Sequence, residues 1–296
     1  MSPSPFLANR AWGLYAAWLL LCSLVFWKPL LAVVQYAMKN DSSSHILLIP
    51  FIATWLIYLD RKKIVSRPLD LAAAAWLAVP AAVLSAVVIG RSFADTSISL
   101  AASILALVLF LVGGFVALFG RRSARRVRFS LAFLLFMVPF PEPLLNRVIY
   151  LLQAGSAAVA ETLFDWARVP VLREGFVFYL PKMSIEVAQE CSGIRSSMAL
   201  LILALLVAHF SFIKFWKKAL FVCLGLLMML VKNGVRIATL TLLANYVDPG
   251  FLYGRLHREG GVVFFLIGLA LLWPVYWWLR RGEQSFPPRR PEASRS

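Results

Sequence analysis

Acidic residues are scarce in this chain: 14 Asp and Glu stand against 30 Lys and Arg in 296 residues. Charge of both signs together makes up only 15%, too little for a soluble chain of this length. Three cysteines, two of them within apolar runs, offer no disulfide framework, and the histidines also number three. Scattered as they are, they offer no metal-ligand spacing, so neither a metal nor another cofactor is expected. The sequence has no internal repeat, no Gly-rich phosphate loop and no nucleotide motif. The net charge of +16 could suit nucleic acid, but the cations sit in short clusters. No nucleic-acid partner is expected.

What the chain has in abundance is apolar sequence, 61% of all residues. It comes in runs of roughly twenty, the length that crosses a hydrocarbon core of about 30 Å. The reading is an all-α polytopic membrane protein of about eight transmembrane helices, at 11–36, 44–60, 71–90, 97–120, 129–141, 193–212, 217–241 and 261–280. The first run is interrupted by Lys28-Pro29; it is too long for a signal peptide and lacks a small-residue cleavage site, so it reads as a retained anchor. The fifth, "FSLAFLLFMVPF", is short and ends near Pro139. Residues 1–282 form one multi-pass domain, and the Pro/Arg/Ser tail 283–296 reads as disordered and cytoplasmic.

Orientation follows from the cations. "RKKIVSR" (61–67), "RRSARRVR" (121–128), "KFWKK" (214–218), the tail and Arg10 hold most of the Lys and Arg residues. These segments alternate with the spans so that all fall on one side, which the positive-inside rule makes cytoplasmic. The chain is then N-in and C-in, and 142–192 and 242–260 lie outside. "EGFVFYLPKMSIEVA" (174–188) alternates around a Pro-Lys turn, the pattern of a small β-hairpin before the sixth span. "PLLNRVIYLLQAGSAAVAETLF" (143–164) has helical apolar spacing and reads as an external amphipathic or re-entrant helix. Together they could roof a cleft between the spans beginning near Cys191 and carrying Arg236.

Cys191, Arg195, Arg236 and His257 all gather toward that external face. Each has a bland reading. A free cysteine is often a small buried hydrophobe, and Cys22 and Cys223, each within a span, are read that way. Arg236 could snorkel to the interface, but it lies inside a span with Lys232 one turn behind and Asn233 three residues before. Intramembrane cations face protein or a watery cavity more often than lipid. There a cation can stabilise a developing oxyanion or a thiolate. His257, just before the last span, could take the thiol proton; His45, at the start of the second span, competes with it. His209 falls near the cytoplasmic end.

"ECSGIRSS" (190–197), "NGVRI" (233–237) and "HREGG" (257–261), in this order near the external ends of late spans, resemble the exosortases. These are multi-pass cysteine transpeptidases of the exosortase/archaeosortase family. "SHILLIPFIATWLIYLDRKK" (44–63), "MVPFPEPLL" (137–145) and "VPVLREG" (169–175) carry the resemblance across residues 12 to 280. Where members often have a glycine after the early histidine, Ile46 stands here, a departure that weakens a role for His45. The resemblance implies Cys191 as nucleophile, Arg236 as transition-state stabiliser and His257 as the proton-transfer residue. Arg195, Lys232, Asn233 and His45 are the expected substrate-binding residues.

The implied partners are membrane lipids, an unknown acceptor nucleophile, and the C-terminal sorting signal of exported proteins: a Pro-Glu-Pro-type motif, a single span and a basic end. The implied setting is a bacterial inner membrane, with the site at the periplasmic face and a link to extracellular polysaccharide. The implied chemistry passes through a thioester, which splits one difficult acyl transfer into two easier steps. Two rivals remain at this level. A polysaccharide or lipid transporter or assembly protein would need the buried cations but not the thiol. An intramembrane hydrolase would release its product to water.

Overall fold

The computed structural model describes residues 5–65, 69–90, 96–187, 193–252 and 255–281. Ten α-helices account for most of them: α1 Pro5–Val25, α2 Trp27–Lys39, α3 Ile49–Leu59, α4 Leu71–Gly90, α5 Thr96–Arg126, α6 Arg128–Phe133, α7 Glu142–Trp166, α8 Ile194–Ser211, α9 Phe215–Tyr246 and α10 Arg255–Arg281. Three short strands, β1 Leu172–Glu174, β2 Val177–Tyr179 and β3 Ser184–Glu186, lie between α7 and α8. The chain divides into two compact units, Met1–Leu145 and Asn146–Ser296. It is a polytopic, almost wholly helical membrane protein with one small sheet.

Among the described residues six helical stretches are long and apolar enough to cross a membrane: Ser42–Leu59, Leu71–Ile89, Thr96–Arg126, Ile194–Ser211, Phe215–Tyr246 and Gly261–Arg281. Two further stretches are bent. Arg10–Val25 and Trp27–Lys39 meet at 76°, and Arg128–Met137 and Glu142–Trp166 meet at 98°. The runs expected as the first and fifth spans are therefore not straight crossings. The first breaks beside Lys28-Pro29. The fifth is a short helix ending in a 3-10 turn, Leu134–Met137, before Pro139 and Pro141, whose missing N–H groups stop a helix. The amphipathic segment that follows is α7.

In the first unit α4 and α5 form an antiparallel pair, and α1 packs on α5 through an aromatic seam. Trp18 Nε1 donates to Phe110 O at 3.0 Å, and Tyr15 stands edge-on to Phe115 and Phe119. A small residue permits this approach: a Cβ on Gly114 would collide with the Trp18 ring. Large apolar side chains such as Phe51, Trp55, Trp76 and Ile89 point outward, as expected where lipid rather than water is the solvent. Cys22 is buried with Phe26, Ala106 and Leu107. Cys223, expected to be buried as well, is exposed on α9.

The second unit is organised around α9. Its faces take α8 and α10 on one side, while α7 and the sheet share a core with it: Ala157, Ala160 and Phe164 of α7, Phe178, Leu180 and Val187 of the sheet region, and Ile237 and Ala238 of α9. α7 and α9 approach closely through small residues, as helices in lipid do. A Cβ on Gly234 would come within 2.5 Å of the Val159 side chain and 3.0 Å of Ser156 O. The sheet is an antiparallel meander of order β1-β2-β3. β2 and β3 pair around Leu180–Met183, where Leu180 N donates to Met183 O, and so flank the Pro-Lys turn. β1 adds a third strand to the expected hairpin, turning into β2 at Gly175, whose φ of +63° suits glycine. Arg173 of β1 pairs with Glu161 of α7 at 2.6 Å.

Candidate active site

Of the residues expected at the site, Cys191 lies outside the described residues, within the segment 188–192. Both flanks of that segment are described, and both are held by buried polar groups. On the incoming side, Val187 follows β3 and is almost fully buried. Its N–H donates to Phe176 O at 2.9 Å. Its carbonyl accepts from Gln153 Nε2 of α7 at 2.6 Å. A carbonyl buried in this way loses about 1–3 kcal/mol if its donor is removed.

On the outgoing side stands Gly193, the residue before α8, in the left-handed region at φ 70° and ψ 20°. Only glycine fits there without strain, and space demands it as well. A Cβ would meet Asn233 Oδ1 at 2.7 Å and Lys232 Nζ at 3.4 Å. The carbonyl of Gly193 accepts from Ser196 Oγ at 3.0 Å and from Ser197 N at 2.9 Å, which closes the first turn of α8. Lys232 Nζ in turn donates to Ser196 Oγ. The sequence of donors therefore runs from the Lys232 ammonium to the Ser196 hydroxyl to the Gly193 carbonyl.

Lys232 and Asn233 are 2% and 1% exposed. Their surroundings explain how a membrane helix tolerates them. The Lys232 stem lies 3.7 Å from the Cβ position of Gly268 on α10, so the small residue makes room for the chain. Asn233 Nδ2 donates to Ser156 Oγ of α7 at 3.1 Å. Gln153 and Ser156 are separated by three residues and share one face of α7, so the same helix face serves both flanks of 188–192. The structure thus joins Lys232 and Asn233 to the start of α8 and not to an open surface.

Arg236 is half-buried on α9, one turn beyond Lys232. Arg195 is exposed in the first turn of α8. His257 falls in the first turn of α10, which begins at Arg255. His45 belongs to the first unit, half-buried in the 3-10 turn Asp41–Leu47 that leads into α3. Among the described residues no group of three or more His, Cys, Asp or Glu could hold a metal. Lys232 of α9 thus places a buried cation at the start of α8, in a region where low dielectric strengthens its effect on nearby negative charge.

Nothing in the sequence by itself marks a role for Gln153, Ser156, Ser196 or Gly193. Gln153 and Ser156 had a weak signal, being the polar pair in "LLQAGSAAV" on an otherwise apolar helix.

A multi-pass helical protein with intramembrane cations at the entry to one span is the class that the fold and site define. The family model described as transmembrane exosortase (Exosortase_EpsH) matches residues 36–274, and the chain belongs to that family. No curated protein and no solved structure compared with the chain matches it.

Proposed function

We propose that this exosortase-family protein is a membrane-embedded cysteine transpeptidase that cleaves the C-terminal sorting signal of exported proteins. The Cys191 thiolate attacks the scissile carbonyl near a Pro-Glu-Pro-type motif. The tetrahedral oxyanion is stabilised by Arg236. As the C–N bond breaks, His257 delivers a proton to the departing amine, leaving a thioester on Cys191. An acceptor nucleophile then attacks the thioester and gives up its proton to His257, and the sulfur leaves as the thiolate, restoring the starting thiolate and protonated His257. Binding the substrate's own transmembrane helix supplies positioning that a short motif cannot.

The observation that carries this reading is the anchoring of both flanks of 188–192 beside the α9 turn that precedes Arg236. Val187 accepts from Gln153 of α7, and Gly193 lies against Lys232 and Asn233 of α9, so a polar side chain of α7 and a cation of α9 stand close to residues on either side of Cys191 in the sequence. The membrane depth supports it too. Lys217 and Lys218 begin α9 beside exposed Phe215 and Trp216, and Arg280 and Arg281 end α10 beside Trp277 and Trp278. Cations and aromatics of this kind mark the cytoplasmic interface. Arg236 lies 19 residues beyond Lys217, about 28 Å along a helix, roughly one hydrocarbon thickness. That distance favours a site at the periplasmic face of an inner membrane with N-in, C-in topology. Burial of Lys232 against Ser196 speaks against a transporter pathway lined by that cation.

The test is a reporter ending in a Pro-Glu-Pro motif, a span and a basic tail, coexpressed with the wild type or with Cys191→Ala. Tail removal, read by intact mass, is expected with the wild type and lost with Cys191→Ala. Processing that survives Cys191→Ala overturns the thiol mechanism.

A further inference from the structure

The arginines of the run 121–128 are not used alike. Arg126 Nη1 donates to Lys63 O at 3.0 Å. Arg121, Arg125 and Arg128 instead line one end of a groove of about 430 Å³ within the first unit, which Arg122 and Arg126 do not line. The rest of the groove is apolar. Its walls include Leu77 of α4, Val108, Val112 and Val116 of α5, Leu131 of α6 and Leu135 just beyond it. From Val108 to Val116 the helix rises about 12 Å, against about 15 Å for one leaflet of a hydrocarbon core. Cations at one end and a leaflet's depth of apolar wall below them is the polarity of a lipid.

The backbone that presents these arginines is fixed. Gly120 turns the chain at φ 75° and ψ 163°, a conformation open to glycine. Ser123 is buried, and its Oγ accepts from Val65 N and donates to Val65 O, both at 3.1 Å. Arg121, Arg125 and Arg128 are exposed, and among the described residues no carboxylate lies within ion-pair distance of them. Asp60 is taken by Lys63, and Asp70 Oδ1 accepts from Ala73 N at the start of α4. Like charges gathered at one mouth repel one another, so an anion from outside the chain is needed to offset them. Orientation by the positive-inside rule requires cations in the segment, but not at the end of an apolar groove.

We infer that this groove binds an anionic phospholipid, with its phosphodiester held by Arg121, Arg125 and Arg128 and an acyl chain lying along α5 between α4 and α6. Guanidinium groups match phosphate oxygens in pairs, and basic pockets between membrane helices suit anionic head groups. A free phosphate would leave the apolar walls uncovered, and the basic end of a sorting signal would be repelled. The site is independent of the thiol chemistry proposed above.

The experiment uses the full-length protein in a neutral detergent at about 0.15 M salt, where charges more than about 8 Å apart are screened. Dioleoylphosphatidylglycerol is titrated in, and bound lipid is counted by native mass spectrometry, with dioleoylphosphatidylcholine and inorganic phosphate in parallel. The anionic lipid is expected to bind about tenfold tighter than the zwitterionic one. Inorganic phosphate at the same concentration is expected not to compete. Arg121→Gln, Arg125→Gln and Arg128→Gln should each weaken binding about fivefold, the worth of one cation beside an anionic head group, whereas Arg122→Gln should stay within about twofold. Ala132→Trp, at an exposed position on the wall, fills the space for the acyl chain and should weaken binding with every arginine in place.

Equal binding of the two lipids would overturn the inference. So would a loss for Arg122→Gln equal to that of the groove variants, since the attraction would then belong to the charged surface as a whole. Competition by inorganic phosphate, or full binding by Ala132→Trp, would remove the acyl chain from the site and overturn it as well. A protein mass in place of lipid, present with the wild type and absent with Arg125→Gln, would assign the groove to a partner chain instead.

Discussion

Lys217 and Lys232 lie on the same helix, about 22 Å apart along its axis, and both are buried, at 5% and 2% exposure. Their electrostatic surroundings are opposite. Lys217 Nζ donates to Leu279 O at 2.8 Å, in the last turn of α10, and lies over the Trp216 ring. Its neighbour Lys218 reaches His209 O, in the last turn of α8. Helix C-termini carry partial negative charge and unpaired carbonyls, so cations there are stabilising. Lys232 instead meets the first turn of α8 through Ser196, the end where the helix dipole opposes a cation. No carboxylate lies within ion-pair distance of it among the described residues. A buried charge set against its local field is expensive, and departures of this kind concentrate where a protein has chemistry to do. One end of α9 sets its buried cation against the negative end of a neighbouring helix, the other against the positive end.

Gly193→Ala is the sharpest way to break the second arrangement, and the largest effect is expected there. It forces a side chain into a left-handed conformation and drives its Cβ against Asn233 Oδ1. Strain of this type costs about 1–3 kcal/mol before any clash is counted. Processing of the tailed reporter should fall by well over tenfold, with a lowered melting temperature in detergent. A fully active Gly193→Ala would mean that the α9 contact is not needed where it stands.

The lysines themselves should separate next. Lys232→Met is expected to lower processing at least tenfold while leaving thermal stability unchanged or raised, since replacing a buried cation by an apolar chain of similar shape is often neutral or stabilising. Lys217→Met should do the reverse. It leaves Leu279 O without its donor and costs about 1–3 kcal/mol, with kcat per folded molecule unchanged. Melting curves and single-turnover rates on the same preparations check both. If both substitutions lowered stability alike, the contrast between the two ends would collapse.

The contrast was half visible before the structure. Long apolar runs define the spans because hydropathy alone decides what lipid will accept, and Lys232, Asn233 and Arg236 stand out from such a run as polar exceptions. Hydropathy does not say whether a run is straight. The breaks beside Phe26 and between Met137 and Glu142 depend on how Pro29, Pro139 and Pro141 are accommodated. Nor does it distinguish a face turned to lipid from one turned to protein, since both are apolar in a membrane; Cys223 is exposed for that reason. β1 escaped because "LRE" has no apolar alternation and depends on the turn at Gly175. Gln153 and Ser156 escaped because their partners are 34 and 77 residues away in the chain, and one of them is a backbone carbonyl that no sequence pattern marks.

The smallest effect tests how finely the stabilising end is tuned. Lys218 Nζ reaches His209 O at 3.4 Å from a partly buried position, near the outer limit of a hydrogen bond. Lys217 holds its carbonyl at 2.8 Å in a buried one. Both interactions oppose the negative end of a neighbouring helix, so helix-dipole stabilisation alone would make them comparable, at about 0.3–1 kcal/mol each. If burial and bond geometry dominate instead, Lys218→Met should shift the melting temperature only slightly, by less than half the shift of Lys217→Met. Raising the salt concentration should erase most of what Lys218 contributes and little of what Lys217 does. Equal shifts with equal salt sensitivity would assign the stabilising end to long-range charge, and the fit of Lys217 against α10 would cease to be what distinguishes it from Lys232.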